Sequence, residues 1–229
     1  MPENQPDRTV VADPRWVAPA ILVAFPLIGA ALGWGLTFVA EWITGLAWFP
    51  FQGLFELFTD LSETLQLVVG LALGAIVGLV LAFLFVSEML EIHVDRDGIR
   101  VKRGNLDRTI ERADIESVFV QDKLLVILGQ GRRELLQAEF DVDRDDLAAA
   151  LRKYGYTWRP DGDPYASELK RWVPGADGLP RGADAVLSAR ATALEKSKDD
   201  DLRELRDELT ALGVVVRDKD KKQYWRSAE

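Results

Sequence analysis

Two long apolar stretches dominate the first 90 residues of this chain. Residues 16–40 and 65–86 contain no charged side chain, and a helix needs only about 20 apolar residues to cross the roughly 30 Å hydrocarbon core of a bilayer. The pattern predicts a tail over 1–15 and two transmembrane helices over 16–40 and 65–87. A cleaved signal sequence is the alternative for the first stretch, but the apolar part of a signal is shorter, about 7 to 15 residues.

Basic residues are distributed unevenly around these helices. Arg8 and Arg15 are the only ones before residue 91, whereas the connection over 41–64 holds four carboxylates and neither lysine nor arginine. Loops that remain in the cytoplasm are enriched in lysine and arginine. The sequence therefore predicts a multi-pass protein of the inner (plasma) membrane with both termini cytoplasmic and the connection outside.

Within the outer connection, apolar residues recur at spacings of three or four. Phe51, Leu54, Phe55, Phe58 and Leu61 follow this period, which is typical of an amphipathic helix. We expect this helix to lie on the outer membrane surface.

Both predicted membrane helices carry glycines four residues apart, namely Gly29 and Gly33 in the first and Gly70, Gly74 and Gly78 in the second. Small residues at this spacing allow helix backbones to approach closely. The stripes indicate either an intramolecular hairpin or homo-oligomerisation through the glycine faces. The absence of ionisable residues from both stretches argues against an ion or proton pathway.

From Leu90 the apolar period changes from helical to alternating. Short apolar runs flank Asp97-Gly98, a hairpin signal in which glycine supplies a positive φ, and further strands are predicted near 109–110, 117–120, 124–128 and 134–136. A helix over 143–154, capped by Asp143, closes this part of the chain. Residues 88–158 are therefore predicted to form a small antiparallel β domain with a C-terminal helix.

The remaining residues predict a linker and a second small domain. Prolines and glycines concentrate in 159–182, where Asp163-Pro164 is expected to open a short docking helix that ends at Pro174. Leucines at helical spacing then predict two helices, and Gly213 ends the second. Residues 183–229 are therefore predicted to form a helical-hairpin domain. The predicted fold class is thus membrane α+β.

Few residues offer catalytic or metal chemistry. The chain has no cysteine, which excludes disulfides, thiol nucleophiles and cysteine-ligated metals. His93 is the single histidine, and a structural role is favoured over a catalytic triad. Residues 141–145 are similar to the start of a calcium loop but lack its glycine and its last glutamate, so helix capping explains them better. We predict no enzyme activity, cofactor or metal.

The order of these elements resembles a known family. Two apolar helices, then Glu91-Ile92-His93-Val94 and its hairpin, then a helix ending Lys153-Tyr154-Gly155-Tyr156 are similar to the YqeB-like actinobacterial membrane proteins with a bacterial pleckstrin-homology-like (PH-like) domain. The resemblance implies a membrane anchor with a cytosolic domain and carries no assigned activity.

The C-terminal residues resemble another family, the anticodon-binding domain of cysteinyl-tRNA synthetases. The similarity rests on Arg206-Asp207-Glu208-Leu209, on Leu212-Gly213 with the three valines that follow, and on Trp225-Arg226. Lys222 departs from the family's turn glycine, and 200–204 departs from its alanine-rich helix junction. The synthetase's catalytic parts are missing, which excludes aminoacylation.

This second resemblance implies contact with tRNA or another RNA. The candidate RNA-binding residues are Arg203, Arg206, Arg217, Lys219, Lys221, Lys222, Tyr224, Trp225 and Arg226. Neighbouring carboxylates nearly balance these cations, so a solvated mixed-charge surface around a buried Trp225 is the alternative.

Two functions therefore remain open from the sequence. One is a non-enzymatic, membrane-anchored cytosolic adaptor or scaffold that binds a protein partner, and the other is a membrane-tethered RNA-binding module. Besides the lipid bilayer, the expected partners are a protein, tRNA or other RNA, and a second copy of the chain.

Overall fold

The computed structural model describes residues 8–44 and 62–228, which form two compact units. The helices are α1 Val17–Thr44, α2 Glu63–Ser87, α3 Arg144–Lys153, α4 Ala183–Glu195 and α5 Asp199–Ala211. The strands are β1 Thr9–Ala12, β2 Glu91–Val94, β3 Gly98–Arg103, β4 Leu106–Glu111, β5 Ile115–Gln121, β6 Leu124–Gly129, β7 Glu134–Glu139, β8 Trp158–Arg159, β9 Lys170–Arg171, β10 Val214–Lys219 and β11 Lys222–Ser227.

The first unit contains the two apolar helices that the sequence predicts. Both are long and apolar enough to cross a membrane, and their large side chains point outward, with Leu27 66%, Leu32 68% and Phe83 60% exposed. Such exposure distinguishes them from the core helices of a water-soluble protein, which bury their apolar side chains. The predicted amphipathic helix near 51–61 lies outside the described residues.

Helices α1 and α2 pack backbone against backbone along the glycine stripes. A Cβ atom added at Gly29 would collide with the carbonyl oxygen of Gly74, and one added at Gly33 with that of Gly70. A Cβ atom added at Gly78 would likewise collide with the carbonyl oxygen of Phe25. Of the two arrangements that the glycine spacing indicates, this geometry corresponds to the intramolecular hairpin.

The second unit begins with two four-stranded sheets, in the orders β1-β2-β3-β4 and β7-β6-β5-β8. Strands β5, β6 and β7 are antiparallel, and β8 runs parallel to β5. Helix α3 follows as predicted, because Asp143 Oδ1 accepts hydrogen bonds from the backbone N–H groups of Asp145 and Asp146 at 2.8 and 2.9 Å. Its buried face carries Leu147 and Leu151.

Strand β1 was not predicted. Thr9–Ala12 lie in the expected tail, yet they form a strand beside β2 at the edge of the first sheet. The chain thus leaves this sheet after its first strand, makes α1 and α2, and returns to it at Glu91. The two apolar helices are therefore an insertion between neighbouring strands of one sheet.

The hairpin between β2 and β3 is confirmed, but the expected role of its glycine is wrong. Gly98 is not among the residues with positive φ. Asp95 makes the turn instead, because its Oδ1 accepts hydrogen bonds from the N–H groups of Asp97 and Gly98, each at 2.9 Å. Gly98 is required by close approach, since a Cβ there would collide with the carbonyl oxygen of Ile110.

The predicted docking helix over 163–174 is also wrong. The segment forms only a 3-10 turn at Ala166–Glu168, followed by strand β9. The backbone N–H of Trp172 donates to the carbonyl oxygen of Gln223 at 2.8 Å, and β9 pairs with β11. Pairing with a sheet edge has overridden the local helical spacing of the apolar residues.

The C-terminal domain combines the predicted helices α4 and α5 with a three-stranded sheet in the order β10-β11-β9. Gly213, with φ of 74°, ends the second helix as expected. The core joins Leu187 and Leu209 of the helices to Val214, Val216 and Trp225 of the sheet. The domain is therefore α+β, and the prediction of a helical hairpin alone was incomplete.

Candidate functional site

The C-terminal sheet has two chemically different faces. Strands β10 and β11 are antiparallel, so directly paired residues lie on the same face. Val216 pairs with Trp225 on the face that packs against the helices. On the opposite face, Arg217 pairs with Tyr224, which in turn pairs with Arg171 of β9.

We call the opposite face the basic face, because its paired rows carry cations. The rows are Val215 with Arg226, Arg217 with Tyr224 and Arg171, and Lys219 with Lys222. Arg171 was not expected in this group, because the sequence predicts a docking helix over this segment. Most of the remaining members belong to the predicted RNA-binding set.

Arg217, in the middle row, is committed to an ion pair inside the protein. Its guanidinium donates two hydrogen bonds to the carboxylate of Glu134 on β7, one of them at 2.6 Å from Nη1 to Oε2, and its Nη2 lies 3.7 Å from Asp163 Oδ2. All three residues are buried. Arg217 is therefore not available to a phosphate in this structure.

Arg226 lies beside this pair and is only 2% exposed. Its Nη1 donates to the carbonyl oxygen of Arg132 at 3.2 Å, and its guanidinium lies 5.0 Å from the ring centroid of Tyr165, with Arg132 4.6 Å from the same ring. Burial lowers the pKa of Arg226. Its Nε and Nη2 have no hydrogen-bond partner within the described chain.

Trp225 lies on the other face of the sheet, in the hydrophobic core, and is 5% exposed. A base cannot stack on a ring that the domain's own side chains already cover. The position of Trp225 therefore does not support the expected stacking role. It supports the alternative, a structural tryptophan.

The two candidate arginines on α5 differ from each other. Arg203 is exposed and its Nη2 donates to Asp200 Oδ1 at 2.7 Å. Arg206 is largely withdrawn from solvent, which lowers its pKa to about 10, and its Nε lacks a hydrogen-bond partner within the described residues. Arg203 is therefore the more accessible of the two to a ligand.

The outer end of the basic face is open. Lys219 and Lys222 are exposed, as is Lys221 in the turn between their strands, and Tyr224 is half-buried. Arg171 is also exposed. The structure thus brings Lys219, Lys222 and Tyr224 together with Arg171 at this end of the face, whereas Arg217, Trp225 and Arg226 are buried.

Burial of arginines leaves the domain surface acidic. The exposed carboxylates between 176 and 228 include Asp177, Glu195, Asp200, Asp201, Glu204, Asp207, Glu208, Asp218 and Asp220. The exposed cations there are Arg181, Lys196, Lys198, Arg203, Lys219, Lys221 and Lys222. Any binding of a polyanion must therefore depend on the local cluster at the basic face rather than on net charge.

A further buried arginine, Arg190 of α4, was not among the predicted site residues. It is fully buried and donates to both carboxylate oxygens of Asp218 at 2.5 and 2.7 Å and to Gln223 Oε1 at 3.0 Å. These bonds fix the helices to the sheet from its core-facing side. Arg190 lies on the same helix face as the buried Leu187 and Ala193, so the helical spacing of its neighbours is a sequence signal for its burial.

The PH-like domain has an open cleft of about 870 Å³. His93 contributes to its lining together with Asp95, Arg96, Thr109 and Arg112. The Nε2 atom of His93 lies 3.4 Å from Glu91, and its Nδ1 is buried without a hydrogen-bond partner in the described chain. Cations and carboxylates alternate around the cleft, as in a polar docking surface. Within 8–44 and 62–228, no group of acidic and histidine side chains could hold a metal ion.

Comparison with known proteins agrees with the two-domain architecture. The family model described as cysteinyl-tRNA ligase anticodon binding domain matches residues 176–226. The chain is 34% identical over 229 residues to the uncharacterized protein YqeB of Bacillus subtilis (strain 168), covering 100% of this chain and 95% of that protein. No solved structure matches.

The family model described as YqeB-like bacterial PH domain matches residues 9–159, from strand β1 through strand β8. That range contains both apolar helices, so the insertion between β1 and β2 is part of the matched domain. The chain therefore belongs to the family with a YqeB-like bacterial PH domain.

Proposed function

We propose that this chain is a non-enzymatic, membrane-anchored adaptor or scaffold. Helices α1 and α2 cross the inner (plasma) membrane, and the PH-like and C-terminal domains present a binding surface for a protein partner in the cytosol. The observation that carries this proposal is the insertion of the apolar helices between β1 and β2, which are neighbours in one sheet. A domain tethered through two adjacent strands is held at the membrane by both connections.

The insertion also supports the topology. The chain enters α1 from β1 and leaves α2 into β2, so both connections begin and end at one sheet and must lie on one side of the membrane. Arg8 and Arg15 precede α1, and the outer connection has no basic residue. The positive-inside tendency then assigns the sheet to the cytoplasmic side.

The buried ion pair supports the role of a scaffold. Arg217 of the C-terminal domain and Glu134 of β7 join the two folded domains through a bidentate contact, which fixes orientation as well as distance. A partner protein can thus bind the two domains as one continuous surface.

The topology can be tested with single cysteines, because the chain has none of its own. Ser62→Cys lies at the start of α2 and Ser188→Cys on the exposed side of α4. In right-side-out vesicles, a membrane-impermeant maleimide should label Ser62→Cys and spare Ser188→Cys, and inverted vesicles should give the opposite result. Labelling of both sites in both preparations would contradict membrane insertion.

The adaptor role can be tested by photo-crosslinking in cells. A crosslinking residue replaces the exposed Thr109 in the cleft, and the same residue at Ser188 on α4 serves as the control. We expect a protein adduct of one defined mass from position 109 only. Adducts that disappear on RNase treatment would favour the RNA-binding function instead.

A second candidate function is RNA binding, favoured by the match of residues 176–226 to an anticodon-binding domain. The exposed end of the basic face, with Arg171, Lys219, Lys222 and Tyr224, supplies cations beside an aromatic ring. Cations contact phosphates and aromatic rings stack on unpaired bases.

This function is tested by tRNA binding to the full-length chain in nanodiscs over a range of salt concentrations. Replacing Lys219 and Lys222 by glutamine should make the plot of log K against log salt shallower by about 1.4, because each lost contact to single-stranded phosphate accounts for about 0.7. Lys196→Gln, an exposed cation elsewhere on the domain, is the matched control. Equal slopes for all three proteins would contradict the proposed RNA site.

A further inference from the structure

We infer that the PH-like domain and the phosphate backbone of a nucleic acid compete for half of the basic face. Docking of this domain therefore limits RNA binding. This inference rests on the second candidate function above. It adds a regulatory element, the carboxylates of Glu134 and Asp163, at the site where that function would operate.

The geometry divides the basic face into two parts. Arg226, Arg217 with Tyr224, and Lys219 with Lys222 lie in three successive rows, so the complete face would present one continuous cationic surface. Glu134 and Asp163 lie against the inner part, whereas the lysines at the outer end are exposed. A strand of phosphates following the face would meet these carboxylates after contacting its outer end.

The chemistry of the covered part suits a phosphate. Arg217 uses its two terminal nitrogens on a carboxylate in the bidentate manner in which arginine also binds phosphate. Tyr165 occupies the position of a stacked ring beside Arg226. The PH-like domain and the segment that follows it thus make within the chain the two kinds of contact that RNA makes with basic and aromatic side chains.

The covered contact is also incompletely satisfied. Arg226 is 2% exposed, yet its Nε and Nη2 have no hydrogen-bond partner in the described chain, and Asp163 Oδ2 likewise accepts no hydrogen bond there. Buried donors without acceptors raise the free energy of the docked state. A phosphate would accept from the arginine nitrogens, so RNA has a source of binding energy with which to displace the carboxylates.

The test compares tRNA binding by the wild type and the double variant Glu134→Gln, Asp163→Asn, as full-length chains in nanodiscs. Both substitutions preserve side-chain shape and leave an oxygen acceptor, including the one that Asp163 Oδ1 offers to the N–H of Tyr165 at 2.9 Å. Glu204→Gln, which removes an exposed carboxylate from α5, controls for a general change of charge.

We expect the double variant to bind tRNA roughly tenfold more tightly, since it weakens the docked contact under which Arg217 and Arg226 are buried. Its salt dependence should be steeper by about 1.4, for two additional phosphate contacts. Adding Arg217→Gln to the double variant should remove about half of that increase in slope. Glu204→Gln should leave the slope unchanged.

Each outcome has a distinct meaning. Equal binding by the wild type and the double variant would overturn the inference and leave RNA binding at the outer end intact. No binding by either protein would overturn both the inference and the RNA-binding function. If the double variant does not fold, amide exchange of residues 163–169 in the wild type decides, because competition requires faster exchange when tRNA is added and unchanged exchange contradicts it.

Discussion

Two internal contacts of this chain achieve close packing by opposite means. Between α1 and α2, glycines remove the side chains and let carbonyl oxygens of one helix approach the other backbone. Between the C-terminal sheet and β7, large charged side chains fill the contact, with Arg217 bound to Glu134. A glycine contact depends on the absence of atoms, and an ion pair depends on the presence of both partners. The two contacts should therefore respond to mutation in different ways.

The largest effect is expected from Arg217→Met, which leaves Glu134 and Asp163 buried without their cation. Breaking a buried pair from one side costs about 3 to 5 kcal/mol. The free energy of unfolding, measured by chemical denaturation of the full-length chain in micelles, should fall by that amount. A change below about 1 kcal/mol would mean that the pair is solvated and does not join the domains.

The matched test removes both partners. Arg217→Met with Glu134→Leu should recover most of the stability lost in the single variant, because replacing a buried ion pair by apolar groups is often neutral. Asp163 remains in the double variant and limits the recovery. If the double variant is less stable than the single one, the pair contributes more than the cost of its own desolvation.

Gly74→Leu tests the other contact and should cost about 3 kcal/mol, because its side chain meets the carbonyl oxygen of Gly29, which cannot rotate away. The separation of α1 and α2 can be followed by fluorescence transfer between labelled cysteines at the two helices. Gly35→Leu is the control, because a Cβ at Gly35 meets nothing within 4 Å. Equal effects of the two substitutions would show that the glycine stripe does not set the helix distance.

Arg190 and Arg206 offer a smaller comparison inside the C-terminal domain. Arg190→Met should cost about 2 kcal/mol, because Asp218 and Gln223 lose a fully buried donor. Amide hydrogen exchange of strands β10 and β11 reports on the opening of this domain. A cost below that of an exposed charge variant such as Arg203→Met would contradict the structural role of Arg190.

Arg206→Met should have the smallest effect, within about 1 kcal/mol of the wild type or stabilising. Its lowered pKa, about 10, means that burial disfavours the charged side chain in the folded protein. The folded state therefore binds this proton less tightly than the unfolded chain, and the charge opposes folding at neutral pH. A loss of 2 kcal/mol or more, about that expected for a buried hydrogen-bonded donor, would show that Arg206 has a partner that compensates its burial.

The sequence was sufficient wherever the signal was local. The long apolar runs predicted α1 and α2, and the Asp143 cap with its leucines predicted α3. The alternation around Asp97 predicted the first hairpin. In each case neighbouring residues carry both the periodicity and the signals that end the element.

The features that escaped prediction depend on distant partners. Strand β1 has four residues and pairs across the whole helical insertion, and β9 has two residues that pair with β11. Arg217 and Arg226 look like an exposed basic cluster in the sequence, and only the position of β7 shows that they are buried. Charge alone does not tell whether a cation faces solvent or a carboxylate of another domain.

The position of β1 also has a consequence for how the protein is made. This strand leaves the ribosome before either apolar helix, and its partner β2 leaves after both, so the first sheet cannot be completed until the second helix has been synthesised. A fragment that starts after α2 would lack β1 altogether and would leave an unpaired edge on β2. Completion of the first sheet therefore depends on the synthesis of both apolar helices.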